Sequence, residues 1–258
     1  MKNMVQNFHT IGDGIVRDTF WSLASSPIEG SYIGGGMSLQ LTLPSSLHRL
    51  TSDIDLDINR RISYDDFKLY TTALFQPQIE RGYSLTTQRK HQTLDAHLER
   101  DEQHLVVQMP RRNVTNFLVQ GEITHRELEH TRKVPYNKKE LTVIAYEDLT
   151  ARKLVRSTTF MQFYSLNFPK VKNLEEMKTD LDELKASFDR DHLSEEPQEV
   201  ARQLANMRLY ADIFDIRAMQ ENFGAIFDTK YLTQALDSFE QEGEKRTSWN
   251  KLFDKISR

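Results

Sequence analysis

The sequence predicts an α+β chain: a mixed sheet with flanking helices, followed by a C-terminal helical bundle. Three observations predict it. Acidic and aliphatic residues alternate from Asp53 to Ile58, the period-2 signature of a strand. Residues 83–126 are mainly strand-like, with Leu105-Val106-Val107-Gln108-Met109 and Phe117-Leu118-Val119-Gln120-Gly121-Glu122-Ile123 as the best runs. From Glu147 onward nearly every segment has helical spacing, broken near Phe168-Pro169, Glu196-Pro197 and Gly224. The switch sets a boundary near residue 147, with an α/β domain over 1–146 and a helical domain over 147–258.

Taken in order, residues 3–25 read as a helix that ends at the Ser25-Ser26-Pro27 breaker. Residues 31–33 read as a short strand, 34–36 as a glycine turn, and 37–43 as a helix stopped by Pro44. Residues 52–58 form the carboxylate strand. Residues 63–80 form an amphipathic helix, with Ser63 as N-cap and Gly82 closing its C-terminal end. Residues 141–145 are a further strand candidate.

Composition narrows the function classes. With 38 % hydrophobic residues and 14 Phe among 258 residues, the chain can build a core rather than stay disordered. Cysteine is absent, so there is no disulfide framework, thiolate ligand or thiol nucleophile. No apolar run approaches a membrane span and the first residues do not resemble a signal peptide, so a soluble cytoplasmic protein without membrane partners is expected. Net charge is −4, but residues 131–156 carry seven basic and three acidic side chains, and residues 174–199 carry three and ten. The first stretch reads either as a surface for nucleotide or RNA phosphates or as a solvated helix face. His125 and His130 are five apart and do not share a helix face, which excludes a zinc-protease helix. No P-loop and no G-x-S-x-G element occurs. The aromatic set Phe160, Phe163, Tyr164 and Phe168 reads as helix core rather than as a base-stacking platform.

The chemistry concentrates in residues 32–58. Asp53, Asp55 and Asp57 share one strand face, and Ile54, Leu56 and Ile58 share the other. Carboxylates crowded on a strand buried on its other face repel each other unless a divalent cation sits between them. Gly35 and Gly36 ahead of an apolar helix-like stretch suit a phosphate cradle, to which Ser38 or Thr51 adds a hydroxyl. Asp212 and Asp215 lie three apart and share a helix face, either as site residues or as a salt bridge in which Arg208 meets Asp212.

Gly35-Gly36 followed by Arg49-x-Thr51-x-Asp53-Ile54-Asp55 resembles the AbiEii/AbiGii-type nucleotidyltransferase toxins, a branch of the polymerase-β-like nucleotidyltransferases that includes the MenT toxins. Glu147-Asp148-Leu149-Thr150-Ala151-Arg152-Lys153-Leu154 resembles that family's helix with a single lysine. Arg208-Leu209-Tyr210-Ala211-Asp212-Ile213-Phe214-Asp215-Ile216 resembles its Asp-x-x-Asp helix. The resemblance spans residues 30–220 and implies a nucleotidyltransferase-like sheet. It makes Asp53 and Asp55 ligands of Mg²⁺ (or Mn²⁺), with Glu122 as a third carboxylate on a neighbouring strand. Asp53, Asp55, Lys153 and Asp212 become catalytic, while Gly35, Gly36, Ser38, Arg49, Thr51, Lys153 and Asp215 contact the nucleotide. The implied reaction moves a nucleoside monophosphate from a nucleoside triphosphate to an acceptor, with RNA, notably the acceptor end of transfer RNA, preferred. A separately encoded antitoxin and a role in phage defence come with the family. The chain departs from the pattern at Gln120, where the family has lysine, and at Ala211, where it has arginine. Those departures support a catalytically degenerate binding or defence module, and a protein-modifying nucleotidyltransferase is the other alternative.

Overall fold

Among the residues described by the computed structural model (8–110, 117–190, 196–239 and 244–257), seven strands form one mixed sheet. The strands are β1 (Ser31–Ile33), β2 (Asp53–Ile58), β3 (Ser84–Arg89), β4 (Thr93–Arg100), β5 (Gln103–Pro110), β6 (Arg132–Tyr136) and β7 (Lys139–Val143), in the order β3-β4-β5-β2-β1-β7-β6. β2 runs parallel to β5 and β1 parallel to β7, while the other neighbours are antiparallel. Helices flank the sheet and further helices follow it, which is the α+β architecture that the sequence predicts.

The chain divides into two compact units. The first takes Met1–Thr42 and Leu50–Ala145, and the second takes Leu43–Arg49 and Tyr146–Arg258. The segment Leu43–Arg49, which the sequence places in the first half, thus belongs to the second unit.

In the first unit the aliphatic half of each strand alternation supplies the core. Ile54, Ile58, Leu105 and Ala96 are fully buried, as are Ile15 and Phe20 of α1 (Gly14–Ser25) and Phe75 of α3 (Tyr64–Glu80). Each large apolar side chain so removed from water contributes about 1.5–3 kcal/mol. α3 begins where expected: Ser63 Oγ accepts from the Asp66 amide at 3.0 Å. It ends at Gly82, whose φ of +90° turns the chain so that the Tyr83 amide donates back to the Gln78 carbonyl at 3.0 Å.

Four expectations change. The first helix starts at Gly14, not at residue 3; residues 1–7 lie outside the described set, and His9 instead exchanges two backbone hydrogen bonds with Thr51, each 2.8 Å. The run predicted as a strand over 117–123 opens helix α4 (Phe117–Glu129). A short apolar run has no decisive period, and among the described side chains of α4 Thr124 and Glu127, three apart, are buried. β6 was not anticipated, since Lys133 and Pro135 interrupt its pattern; it is an edge strand, where both residue types are tolerated. The aromatic set Phe160, Phe163, Tyr164 and Phe168 is not core: none of the four is buried.

In the second unit α5 (Tyr146–Phe163) packs against α7 (Pro197–Phe223), α8 (Thr229–Asp237) and α9 (Glu244–Ser257). α6 (Leu174–Arg190) packs against α7 and against the short 3₁₀ turn Ser45–Leu47. Pro197 opens α7, a position where its missing N–H costs nothing. Asp228 caps α8 by accepting from the Lys230 and Tyr231 amides, both at 2.9 Å. Among the described residues no helix is long and apolar enough to cross a membrane.

Candidate functional site

The first-unit site is built on β2. Ile54, Leu56 and Ile58 are buried on one face, whereas Asp53 and Asp55 on the other are only partly buried. Asp57 on the same face is buried, in register with Tyr32 of β1. The chain beside Asp55 is shaped around it. Gly34, ahead of α2 (Gly35–Gln40), donates its amide to the Asp55 carbonyl at 2.9 Å. Gly35 sits at φ +65°, and a Cβ there would lie 1.8 Å from Asp55 Oδ2. No side chain fits at Gly35 while Asp55 keeps its place.

The other predicted groups of this unit sort themselves by burial. Ser38 is fully buried and its hydroxyl donates to the Gly35 carbonyl at 2.7 Å, which holds the first turn of α2. Thr51 is buried and its Oγ1 accepts from Gln40 Nε2 at 3.3 Å, while its backbone pairs with His9. Both hydroxyls therefore brace the glycine segment. Gly36 lies inside the first turn of α2. Glu122 corrects an expectation: it is exposed on α4, not on a strand beside β2.

On the side of β2 away from β1 lies β5, and the residue in register with Asp55 is Gln108; beyond it in the same row comes Asp95 of β4. Asp95 is fully buried. Its Oδ2 meets Lys90 Nζ at 2.5 Å and Gln108 Nε2 at 3.4 Å, and its Oδ1 has no hydrogen-bond partner among the described residues. The sequence reading missed Asp95. The alternation of Leu94, Ala96 and Leu98 sets Asp95 apart from them on β4, but only the pairing of β4 with β5 and of β5 with β2 brings it to the face that carries Asp53 and Asp55. Among the described residues, no three His, Cys, Asp or Glu side chains gather closely enough to hold a metal by themselves. The donor set on β2 is a carboxylate pair, Asp53 and Asp55.

The second-unit site is an ionic cluster. Asp212 and Asp215, three apart on α7, both face inward and are 0 % and 2 % exposed at the side chain. Lys153 of α5 bridges them, with Nζ 2.9 Å from Asp212 Oδ1 and 2.7 Å from Asp215 Oδ2. Each carboxylate also takes a two-pronged arginine. Arg49 Nε and Nη2 donate to Asp215 at 2.7 and 2.6 Å, and Arg156 Nε and Nη2 donate to Asp212 at 2.7 and 2.6 Å. Arg208, the partner of Asp212 in the alternative salt-bridge reading, is exposed.

Burial alone would raise both carboxyl pKa values. The facing cations outweigh it: Arg156 and Lys153 hold Asp212 below the usual carboxylate range, and Arg49 and Lys153 hold Asp215 well below it. Burial likewise works to lower Arg49, and the Asp215 carboxylate outweighs it, so its pKa is raised. Arg49, Lys153 and Arg156 thus surround the two carboxylates. Arg49, Lys153, Asp212 and Asp215, all named from the sequence, do come together here. Both acids are engaged by cations: Asp212 meets Lys153 and Arg156, and Asp215 meets Lys153 and Arg49. Arg156 was not singled out, although its spacing of three from Lys153 puts both on one face of α5.

No protein-family model matches the sequence, and no curated protein does. Among solved structures the chain is similar to an antigenic nucleotidyltransferase-like protein from Paracoccidioides brasiliensis, with 15 % identity over 90 % of this chain and 95 % of that one, at a TM-score of 0.38. That likeness is loose, and the weight falls on the side chains.

Proposed function

We propose that this protein is a nucleotidyltransferase of the AbiEii-like toxin class, transferring a nucleoside monophosphate from a nucleoside triphosphate to an RNA acceptor with release of pyrophosphate. One observation carries the reading. Two partly exposed carboxylates, Asp53 and Asp55, stand on one face of a strand buried on the other, and the backbone at Gly35 is cut away to admit the second of them. A bound Mg²⁺ or Mn²⁺ neutralises phosphate charge and polarises the phosphorus that is attacked. Asp53 and Asp55 offer it hard oxygen ligands. Gly35 and Gly36 let phosphate oxygens approach the backbone. In the second unit Asp212 and Asp215 hold Lys153, Arg49 and Arg156 as a fixed positive charge for a phosphate-bearing substrate. Arg156, 49 % exposed at its side chain, is the member of that cluster that meets solvent most. A cytoplasmic setting and a separately encoded antitoxin belong to the same proposal.

The test is incubation with each labelled nucleoside triphosphate, Mg²⁺ or Mn²⁺, and total RNA or lysate. Label is expected in RNA, with pyrophosphate released. Asp53→Asn and Asp55→Asn are expected to lower labelling by at least about 100-fold, since each removes a charged ligand from the transition state. Wild-type labelling by both variants defeats the mechanism. Label in protein selects the protein-modifying alternative.

A catalytically silent module is the second reading, favoured by a specific observation: the residue in register with Asp55 is the amide Gln108, and Asp95 beyond it is engaged by Lys90. It predicts that nucleotide binds with no label in any fraction.

A further inference from the structure

Between Asp148 and Glu175 the chain carries no acidic residue. The same stretch holds Arg152, Lys153, Arg156, Lys170 and Lys172 together with Phe160, Phe163, Tyr164 and Phe168. In a chain of net charge −4, an acid-free segment that interleaves basic and aromatic residues has the composition of a polyanion surface.

α5 sorts these residues into a stripe. Lys153, Arg156, Phe160 and Phe163 step by three or four, Tyr164 follows one residue beyond α5 and four after Phe160, and at about 100° per residue the five fall within about a third of the helix circumference. Exposure varies along the stripe, with Phe160 and Tyr164 partly buried. Lys153 is 2 % exposed and Arg156 49 % at the side chain, and Phe163 is 78 % exposed. The exposed ring is braced rather than loose: Phe163 meets Tyr164 edge to face, with centroids 4.9 Å apart at 78°, and Tyr164 leans on Phe160 at 6.2 Å. The helix end is fixed beneath them by Ser165 at φ +52° and by the Leu166 amide donating to the Met161 carbonyl at 3.1 Å. Just beyond, Lys255 of α9 lies over the Phe168 ring at 3.9 Å.

We propose that the C-terminal end of α5 is a base-stacking ledge for single-stranded nucleic acid, with Phe163 and Tyr164 receiving unpaired bases and Arg156 and Lys170 facing backbone phosphates. Seven residues of helix separate Arg156 from Phe163, about 10 Å, so one short oligonucleotide meets both. Stacking on a side chain requires a base face that a duplex hides, which selects single strands. As an acceptor surface the ledge rests on the nucleotidyl-transfer reading; as a binding surface it is tested without it.

The experiment uses the full chain without nucleotide and a fluorescein-labelled 12-nucleotide RNA, read by anisotropy across a salt series. Phe163→Ala is expected to weaken binding about tenfold, the effect of losing one stacked base, and Phe163→Trp to keep it. Because Phe163 is exposed, both variants fold as wild type. Lys170→Ala is expected to make the salt dependence shallower by about one phosphate contact. The same sequence in a duplex binds more weakly. Equal affinity of Phe163→Ala and wild type, or equal affinity for the duplex, overturns the proposal and leaves the exposed rings to a protein partner. If oligonucleotide binding depends on Phe163 while no triphosphate label is transferred, the ledge stands and the transfer reading falls. If label is transferred and Phe163→Ala binds RNA as wild type does, the ledge alone falls.

Discussion

Two aspartate pairs of this chain share a residue type and little else. Asp53 and Asp55 are two apart on a strand, partly exposed, and flanked by a glycine that makes room for one of them. Asp212 and Asp215 are three apart on a helix, buried, and ringed by Arg49, Lys153 and Arg156. In both cases the local period puts two carboxylates on one face. Surroundings then separate them. The strand pair is partly open to solvent, and the helix pair has its cations built in. On the proposed reading the first pair does chemistry and the second holds other groups still.

The largest expected effect tests that division through stability. Asp215→Ala leaves Arg49 and Lys153 buried without their shared carboxylate, and the loss of one partner from a buried ionic set costs about 3–5 kcal/mol. Asp53→Ala, at a partly exposed position, is expected to change stability by less than about 1 kcal/mol. Urea unfolding of the two variants side by side measures both. Equal midpoints erase the contrast.

Next in size is the glycine beside Asp55. Gly35→Ala places a methyl group 1.8 Å from Asp55 Oδ2 on a backbone at φ +65°. The left-handed conformation alone costs a side chain about 1–2 kcal/mol, and relief of the clash displaces the carboxylate. Thermal unfolding should show a loss of about 2 kcal/mol together with lost nucleotidyl transfer. Gly14→Ala, where a new Cβ meets nothing within 4 Å, is the control and should be neutral or slightly stabilising.

The two regions were unequally legible in the sequence. β2 was readable because its alternation is strict and its apolar face is all aliphatic. The helix pair was readable as a pair, since three residues apart is a local relation. Its partners were not: Arg49 lies 166 positions from Asp215, and no local pattern reports a contact that long. Arg156 was within reach of periodicity and was passed over. Glu122 went astray because Phe117-Leu118-Val119 is apolar and too short to have a period, whereas the helix it opens runs on to Glu129, with Thr124 and Glu127 buried further on. Gln108 and Asp95 needed the strand register, which depends on pairing rather than on any one segment.

Acid sharpens the comparison further. Asp212 and Asp215 have folded-state pKa values below their unfolded ones, so their contribution is fully present above the unfolded value of about 4 and is lost as pH falls through the folded values. Wild type and Asp215→Asn should therefore differ by a constant amount between about pH 7 and pH 5 and converge below about pH 4. Parallel curves down to pH 2 would mean that the Asp215 carboxylate is not what the cations recognise.

The smallest effect lies inside the cluster, which is itself graded from buried to exposed. Arg49 and Arg156 make the same two-pronged contact, but their side chains are 8 % and 49 % exposed. Replacing either by lysine keeps the charge and removes the fork. Solvent already screens Arg156, so Arg156→Lys should cost about 0.5–1 kcal/mol and Arg49→Lys more. Salt separates the two in a second way. An exposed pair weakens as ionic strength rises from 0.05 to about 1 M, while a buried one is screened much less. The penalty of Arg156→Lys should therefore shrink across that range and the penalty of Arg49→Lys should persist. Urea midpoints of both variants at low and high salt decide it. Equal shrinkage would show that water reaches Arg49 as readily as Arg156, and the distinction between a sealed carboxylate pair and an open one would then rest on Asp53 and Asp55 alone.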